Sequence, residues 1–204
     1  MEVCAGSRDG TTRGLGQWVE PACTPRPTSA YVRLVGVGAA EVRRIRGGEW
    51  ERLRDLRLRA LREDPDAFAS TLEAELEEPA AAWRRTTEQG AAGDESIIAV
   101  AVDNDRFVGM AGGFRERPGD DPVLWGMWVD PGWRGRGLGR LLAEAVERWA
   151  ADAGAGALTL SVTETNRAAI SLYRALGYLE LGGRTPLRPG TALLKIQMRK
   201  PLRR

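Results

Sequence analysis

Histidine is absent from the 204-residue chain, and this absence removes several kinds of chemistry at once. Serine-histidine triads, histidine-bearing metal sites and imidazole acid–base catalysis are all excluded. Cysteine is scarce, since the two residues present, Cys4 and Cys23, both lie near the N-terminus. A disulfide between them would tie down only that segment, and neither thiol has a histidine to activate it. We therefore expect free thiols and no metal site.

Long apolar runs and a strong charge of one sign are also missing. No stretch approaches the length of a membrane span, and the N-terminal segment has no apolar signal core. The net charge is only +2, and acidic residues interleave with basic ones. This balance argues against nucleic-acid or membrane-surface partners. A composition of 43% hydrophobic and 28% charged residues is that of a soluble globular protein, and the expected location is the cytoplasm.

Residues 1–38 differ in composition from the rest of the chain. They are rich in Gly, Ser, Thr, Pro and Arg and keep neither helical nor strand periodicity for long. Such a segment predicts a disordered or loosely docked tail, with a natural start further along the chain as the alternative. Residues 39–200 are then the expected folded domain, and residues 201–204 a basic C-terminal tail.

The most informative stretch runs from Val123 to Ala153. Residues 123–129 form an apolar and aromatic run of strand length, and from Leu138 onward apolar residues recur on one face of a helix. The loop between them is rich in glycine, so its backbone can approach a ligand closely. The first amides of the helix lack partners and lie at its positive end. The loop therefore predicts a phosphate or pyrophosphate site, and three arginines add charge to it: Arg134, Arg136 and Arg140.

Three phosphate-binding motifs compete for this loop. A dinucleotide fingerprint starting at Gly135 would need glycine where the chain has Arg140. A P-loop starting at Gly132 would need lysine followed by serine or threonine, where the chain has Leu138 and Gly139. The pattern that remains is Arg-x-x-Gly-x-Gly, which begins at Arg134. It resembles the acyl-coenzyme A signature of the GNAT superfamily of N-acetyltransferases.

The surrounding pattern predicts a mixed α+β domain with one central sheet. Including residues 123–129 and the helix from Leu138, the count is about seven strands and four helices. The other predicted strands are residues 41–46, 96–102, 106–117, 157–162, 178–181 and 191–198. The other predicted helices run from Trp50 to Pro65, from Thr71 to Gly90 with an interruption at Pro79, and over residues 166–176.

A second motif strengthens the resemblance. Asn166, Ala169, Tyr173, Gly177 and Tyr178 stand at the spacings of the GNAT pattern Asn-x-x-Ala-x-x-x-Tyr-x-x-x-Gly-aromatic. The resemblance covers residues from about 39 to 200. It implies a three-layer α/β/α fold with a mostly antiparallel sheet, acetyl-CoA as the acetyl donor, and a small-molecule or peptide amine as the acceptor. A homodimer is a further possibility.

The resemblance also implies roles for individual residues. The strand before the signature would diverge from its neighbour and pair with the pantetheine arm, and the loop amides would hold the pyrophosphate. Tyr173 would lie near the sulfur and protonate the departing thiolate, with a tyrosine that only packs between helix and sheet as the alternative. The implied cofactor-binding residues are Met127, Trp128, Val129, Arg134, Gly135, Arg136, Gly137, Leu138, Gly139, Arg140, Asn166 and Tyr173.

The general base and the acceptor are less constrained. With no histidine, the base must be a carboxylate, a water chain or a desolvated group. Glu164, at the end of a predicted strand, is the first candidate and Glu116 the second. The side chains expected to line the acceptor site are Leu58, Phe68, Arg115 and Trp125. The main hypothesis is direct transfer in a ternary complex, and the alternative is a non-catalytic acyl-CoA-binding module.

Overall fold

The computed structural model describes residues 40–117 and 119–202 in full and the backbone of residues 34–37. The predicted tail, residues 1–38, lies outside the described residues except for Leu34–Val37, which form a strand. Toward the C-terminus the last strand extends through Pro201, where the sequence placed the start of a basic tail. Residues 203 and 204 lie outside the described part.

The strands of the described chain join in a single sheet. They are β1 (Leu34–Val37), β2 (Ala40–Arg44), β3 (Ser96–Asp103), β4 (Arg106–Phe114), β5 (Val123–Val129), β6 (Ala157–Thr163), β7 (Leu179–Glu180), β8 (Thr185–Pro186) and β9 (Leu194–Pro201). Their order is β1-β2-β3-β4-β5-β6-β9-β7, and β8 also pairs with β9. Every pairing is antiparallel except the one between β5 and β6. The predicted mixed, mostly antiparallel fold is confirmed.

Helices cover both faces of this sheet. They are α1 (Trp50–Glu63), α2 (Leu72–Glu77), α3 (Ala80–Ala92), α4 (Leu138–Asp152) and α5 (Arg167–Ala175). Two single turns of 3-10 helix, Pro65–Ala67 and Pro131–Trp133, precede α2 and α4. Pro79 separates α2 from α3 because it lacks the amide that would continue the first helix. Among the described residues, none of these helices is both long and apolar enough to cross a bilayer.

Two apolar cores lie on the two faces of the sheet. Leu53, Leu56 and Leu61 of α1 pack with Trp83 and Met110 on one face. On the other face, α4 and α5 pack against the sheet through the following side chains: Leu138, Leu142, Val146, Trp149, Ile170 and Tyr173. The apolar face predicted for α4 is therefore buried, and the fold has the three layers that the family resemblance implied.

Candidate functional site

The candidate site is the gap between β5 and β6. Within the described residues, these two strands are paired only at Val123 with Thr159 and at Leu124 with Leu160. Each strand has seven residues, so most of their length runs without mutual hydrogen bonds. On its other side β5 stays paired with β4 as far as Val129. The C-terminal half of β5 therefore presents backbone donors and acceptors to an open cleft.

A β-bulge at Gly126 accounts for the divergence. Trp125 pairs with Gly112 and Trp128 with Met110, so Gly126 and Met127 together face one residue of β4. Gly126 has a φ of +63°, in the left-handed region that glycine adopts without strain. An extra residue of this kind bends the bulged strand and increases its twist. Here the bend carries β5 away from β6.

The glycine-rich loop brings the start of α4 to the mouth of this cleft. Gly137 is the N-terminal cap residue of α4 and has a φ of +78°. It has no side chain to cap the helix, so the first amides of α4 stay available to a bound anion. Arg136 and Arg140 are exposed beside the loop. The Arg136 guanidinium lies 4.8 Å from the Trp133 ring centroid, and Arg140 is 3.7 Å from Glu144.

Arg134 differs from the other two arginines of the loop. Its Nε donates to the carbonyl of Val129 at 2.9 Å, and its Nη2 donates to Oδ2 of Asp64. Trp128, whose side chain is buried on the α1 face, donates from Nε1 to the same Asp64 oxygen at 2.7 Å. The Arg134 guanidinium is thus engaged with protein atoms. Its charge is directed at α1 and the end of β5 rather than into the loop, where the sequence placed it.

Asn166 and Tyr173 are carried together on α5. Asn166 caps this helix, because its Oδ1 accepts from the amide of Ala169 at 3.1 Å. Tyr173 is buried, and its ring meets that of Tyr178 edge-on with 5.6 Å between centroids. Burial raises the pKa of the Tyr173 phenol above its usual value, so the phenol is protonated at neutral pH.

The two candidate bases lie in different places. Glu164 directly follows β6, and its Oε2 accepts from Nε of Arg184 at 2.8 Å. Glu116 is exposed just beyond Phe114, which pairs with Val123 at the opposite end of β5 from the bulge. Glu116 therefore lies away from the cleft mouth. Glu164 is at the same end of the sheet as the divergence.

Of the four predicted acceptor residues, Phe68 and Trp125 belong to the same apolar cluster on the α1 face, and the other two lie elsewhere. Arg115 donates to the carbonyl of Ala153, just beyond the C-terminal end of α4. Because α4 has 15 residues and is about 22 Å long, Arg115 is far from the glycine loop, and its place at the acceptor site stays a prediction. Phe68 is buried below the Arg57 guanidinium, 4.5 Å from it. Leu58 lines a separate groove of about 510 Å³ with Arg59 and Phe107.

Trp125 is half-buried and packs closely on Gly112. A β-carbon built on Gly112 would lie 2.2 Å from Cε2 of the indole, so β4 needs glycine there.

The α1 side also holds a buried pair that the sequence did not indicate. Arg57 donates from Nε and Nη2 to Oε1 of Glu75 at 3.1 and 2.9 Å. Glu75 lies within an acidic run of α2, and its side chain turns inward toward Arg57.

Comparison with known proteins agrees with this geometry. The profile of the Acetyltransferase (GNAT) family matches residues 50–178, which include the cleft, the glycine loop and the Asn166–Tyr173 motif. The chain belongs to the GNAT acetyltransferase family. The family resemblance predicted from Arg134, Gly137 and Asn166 is confirmed.

Individual GNAT relatives match only in part. Streptothricin acetyltransferase of Streptomyces lavendulae is 35% identical over 109 residues, which are 52% of this chain and 57% of that protein. The [ribosomal protein bS18]-alanine N-acetyltransferase of Salmonella typhimurium is 33% identical over 98 residues, 48% of this chain and 65% of that protein. The matched part therefore spans less than two thirds of either relative.

A solved structure shares the fold. The PaiA N-acetyltransferase of Thermoplasma acidophilum, in complex with coenzyme A, superposes with a TM-score of 0.64. The match covers 79% of this chain and 98% of that one at 15% identity. At this identity the comparison supports the arrangement of sheet and helices, and nothing beyond it.

Proposed function

We propose that this GNAT protein is an N-acetyltransferase, which transfers the acetyl group of acetyl-CoA to a primary amine by direct attack in a ternary complex. One observation carries the proposal: β5 leaves β6 after Leu124 and Leu160, and the uncapped start of α4 lies at the mouth of the gap. The gap offers strand-like pairing to an extended chain, and the helix start attracts phosphates. A pantetheine arm joined to a pyrophosphate has both features.

The residues present fit this ligand. Backbone groups of Met127, Trp128 and Val129 that face away from β4 would pair with the arm, because β6 does not occupy that edge; the Val129 carbonyl is taken by Arg134. The amides from Gly135 to Arg140 would hold the pyrophosphate, with Arg136 and Arg140 adding charge from the exposed side of the loop. Asn166 has its Oδ1 committed to Ala169, so its Nδ2 is the group left to donate to the ligand.

The bound donor would supply an activated thioester whose carbon accepts the amine and whose sulfur departs. Tyr173 would donate its phenolic proton to that sulfur, and its raised pKa keeps the phenol protonated at neutral pH until the thiolate forms. The attacking amine must lose a proton, and Glu164 or a water chain leading to it would accept that proton. Because Arg184 holds the Glu164 carboxylate, Arg184 would also fix the direction in which that group faces.

The acceptor is an amine of unidentified type. One relative is named for streptothricin and another for the alanine of a ribosomal protein, so an antibiotic amine and a peptide N-terminus both belong in the test. The acceptor would approach on the α1 side, where the connection from α1 to α2 lies against the ends of β5 and β6.

The proposal is tested by thiol release from acetyl-CoA across a panel of amines. The panel holds streptothricin, free amino acids, a peptide with N-terminal alanine, and simple alkylamines. We expect acetylation of at least one class and a kcat for Tyr173→Phe at least tenfold lower, with the affinity for CoA nearly unchanged. CoA binding without turnover on any amine would instead favour a non-catalytic acyl-CoA-binding module.

A further inference from the structure

Asp64 links the cofactor loop to the connection that follows α1 on the acceptor side. It follows α1 directly, and its carboxylate takes hydrogen bonds from Trp128 of β5 and from Arg134 of the glycine loop. Arg134 is in turn bonded to the carbonyl of Val129. The end of α1, the open edge of β5 and the start of the cofactor loop therefore meet at one carboxylate.

The same connection is fixed to β6 two residues later. The Thr163 hydroxyl, on the last residue of β6, donates to the carbonyl of Asp66 at 2.7 Å. Arg188 donates to the carbonyls of Pro65 and Phe68 at 3.1 and 2.8 Å. The segment from Asp64 to Asp66 thus bridges β5 and β6 on the α1 side, where their pairing has ended.

The bridge is anchored unequally on its two sides. On the β6 side three hydrogen bonds go to backbone carbonyls, and Arg188 also pairs with the Asp66 carboxylate at 3.7 Å, so no single side chain of residues 65–68 carries the contact. On the β5 side the anchor is the Asp64 side chain, whose ion pair with Arg134 is partly exposed, at 33% and 48% of the two side chains. An exposed pair adds little stability. The ion pair instead fixes the position of the cofactor loop relative to the Asp64–Asp66 segment.

We propose that Asp64 is a positioning residue, which couples the cofactor loop to the acceptor-side connection between α1 and α2. This inference rests on the proposed function. When the loop moves onto a bound pyrophosphate, Arg134 would move with it and shift Asp64. The Asp64–Asp66 segment, which borders the acceptor, would then be repositioned. Loss of the link would leave the loop less well placed for the pyrophosphate and the Asp64–Asp66 segment less well placed for the acceptor, so each ligand would bind more weakly.

The test measures CoA binding to the full chain by calorimetry, without turnover. Asp64→Asn keeps an oxygen for the Trp128 indole and removes the charge that pairs with Arg134. We expect CoA to bind this variant about three- to tenfold more weakly. Arg134→Gln should have a similar effect, and the double variant should be no worse than either single one, because both break one link.

Asp121→Asn is the matched control. Asp121 is paired with Arg199 at 2.9 Å, has the same 33% side-chain exposure, and lies just before the opposite end of β5. We expect wild-type CoA affinity from it. Where an amine is acetylated, Asp64→Asn should also raise the KM of that amine several-fold with little change in kcat, whereas a general loss of structure would lower kcat and the melting temperature together.

The outcomes separate the two proposals. No CoA binding by the wild type would overturn the proposed function and this inference with it. Normal binding by the wild type and unchanged binding by Asp64→Asn would overturn the inference alone, as would fully additive effects of Asp64→Asn and Arg134→Gln. Should Asp64→Asn fail to fold, Arg134→Gln compared with Asp121→Asn gives the same decision, because only the first breaks the link to Asp64.

Discussion

Leu124 of β5 and Leu160 of β6 form the last paired residues before these strands diverge. Both side chains are buried in the core under α4, so the junction is held firmly. Beyond it the bulge at Gly126 directs β5 away, and the loop before α4 comes to the mouth of the opening. The position of this pair fixes where the cleft begins.

Gly126→Ala should destabilise the protein and weaken acetyl-CoA binding. At a φ of +63° an alanine is strained by about 1–2 kcal/mol, and its β-carbon would lie 3.3 Å from Cε of Met110. Chemical denaturation and calorimetry measure the two effects. Gly156→Ala is the control, because that glycine has open space and no positive φ. Equal stability of the two variants would contradict the strain assigned to a side chain at position 126, and unchanged acetyl-CoA affinity would contradict the role of the bulge in the cleft.

Tyr173→Phe should lower kcat by at least tenfold and change the KM of acetyl-CoA little. The phenol is the proposed proton donor, while the ring supplies packing that phenylalanine keeps. Steady-state kinetics with a good acceptor measures the effect. Tyr178→Phe is the comparison, because it retains the edge-on ring contact and should cost much less activity. Comparable losses in the two variants would remove the acid role from Tyr173.

Stability should fall as the pH rises above about 10, the value at which tyrosine ionises in an unfolded chain. Burial raises the folded-state pKa of Tyr173, and burial together with the charge of Glu147 raises that of Tyr178. The unfolded chain therefore releases these protons first, and alkaline solution favours it. Denaturant titrations across this range should show a smaller loss for the double Tyr→Phe variant. An identical loss in that variant would contradict the assignment.

Glu49→Gln should cost about 2 kcal/mol and flatten the acid limb of the stability profile. Burial alone would raise the Glu49 pKa, but hydrogen bonds from Arg43 and the Arg46 amide, with the charges of Arg43 and Arg52, lower it overall. The stabilisation is therefore present above about pH 4.5 and is lost as the pH falls through the lowered pKa. Glu51→Gln, an exposed residue of α1, is the control and should leave the acid limb unchanged.

The sequence predicted the parts of the site that depend on local pattern. The apolar run of β5, the glycine turn and the buried face of α4 follow from periods of two and 3.6 residues and from backbone freedom at Gly137. The bulge was not predicted, because one glycine inside a strand has several possible roles. The divergence of β5 from β6 was expected only through the family resemblance.

The sequence did not predict side-chain contacts between residues that are far apart along the chain. Arg134 looked like a phosphate ligand because its partner Asp64 lies 70 positions away. The sequence also did not show that Arg115 bonds to the carbonyl of Ala153, beyond the end of α4 that is far from the loop. Asp64-Pro65-Asp66 could be seen as a turn, but its bridging of β5 and β6 depends on Trp128 and Thr163.

The most direct test of the account is a calorimetric titration of acetyl-CoA into the wild type and into Gly137→Val. Gly137 has a φ of +78° and caps α4, so valine would disturb the loop backbone that is proposed to hold the pyrophosphate. We predict binding of one acetyl-CoA per wild-type chain and loss of binding in the variant, with the circular dichroism of both unchanged. Equal affinity of the two folded proteins would contradict the account.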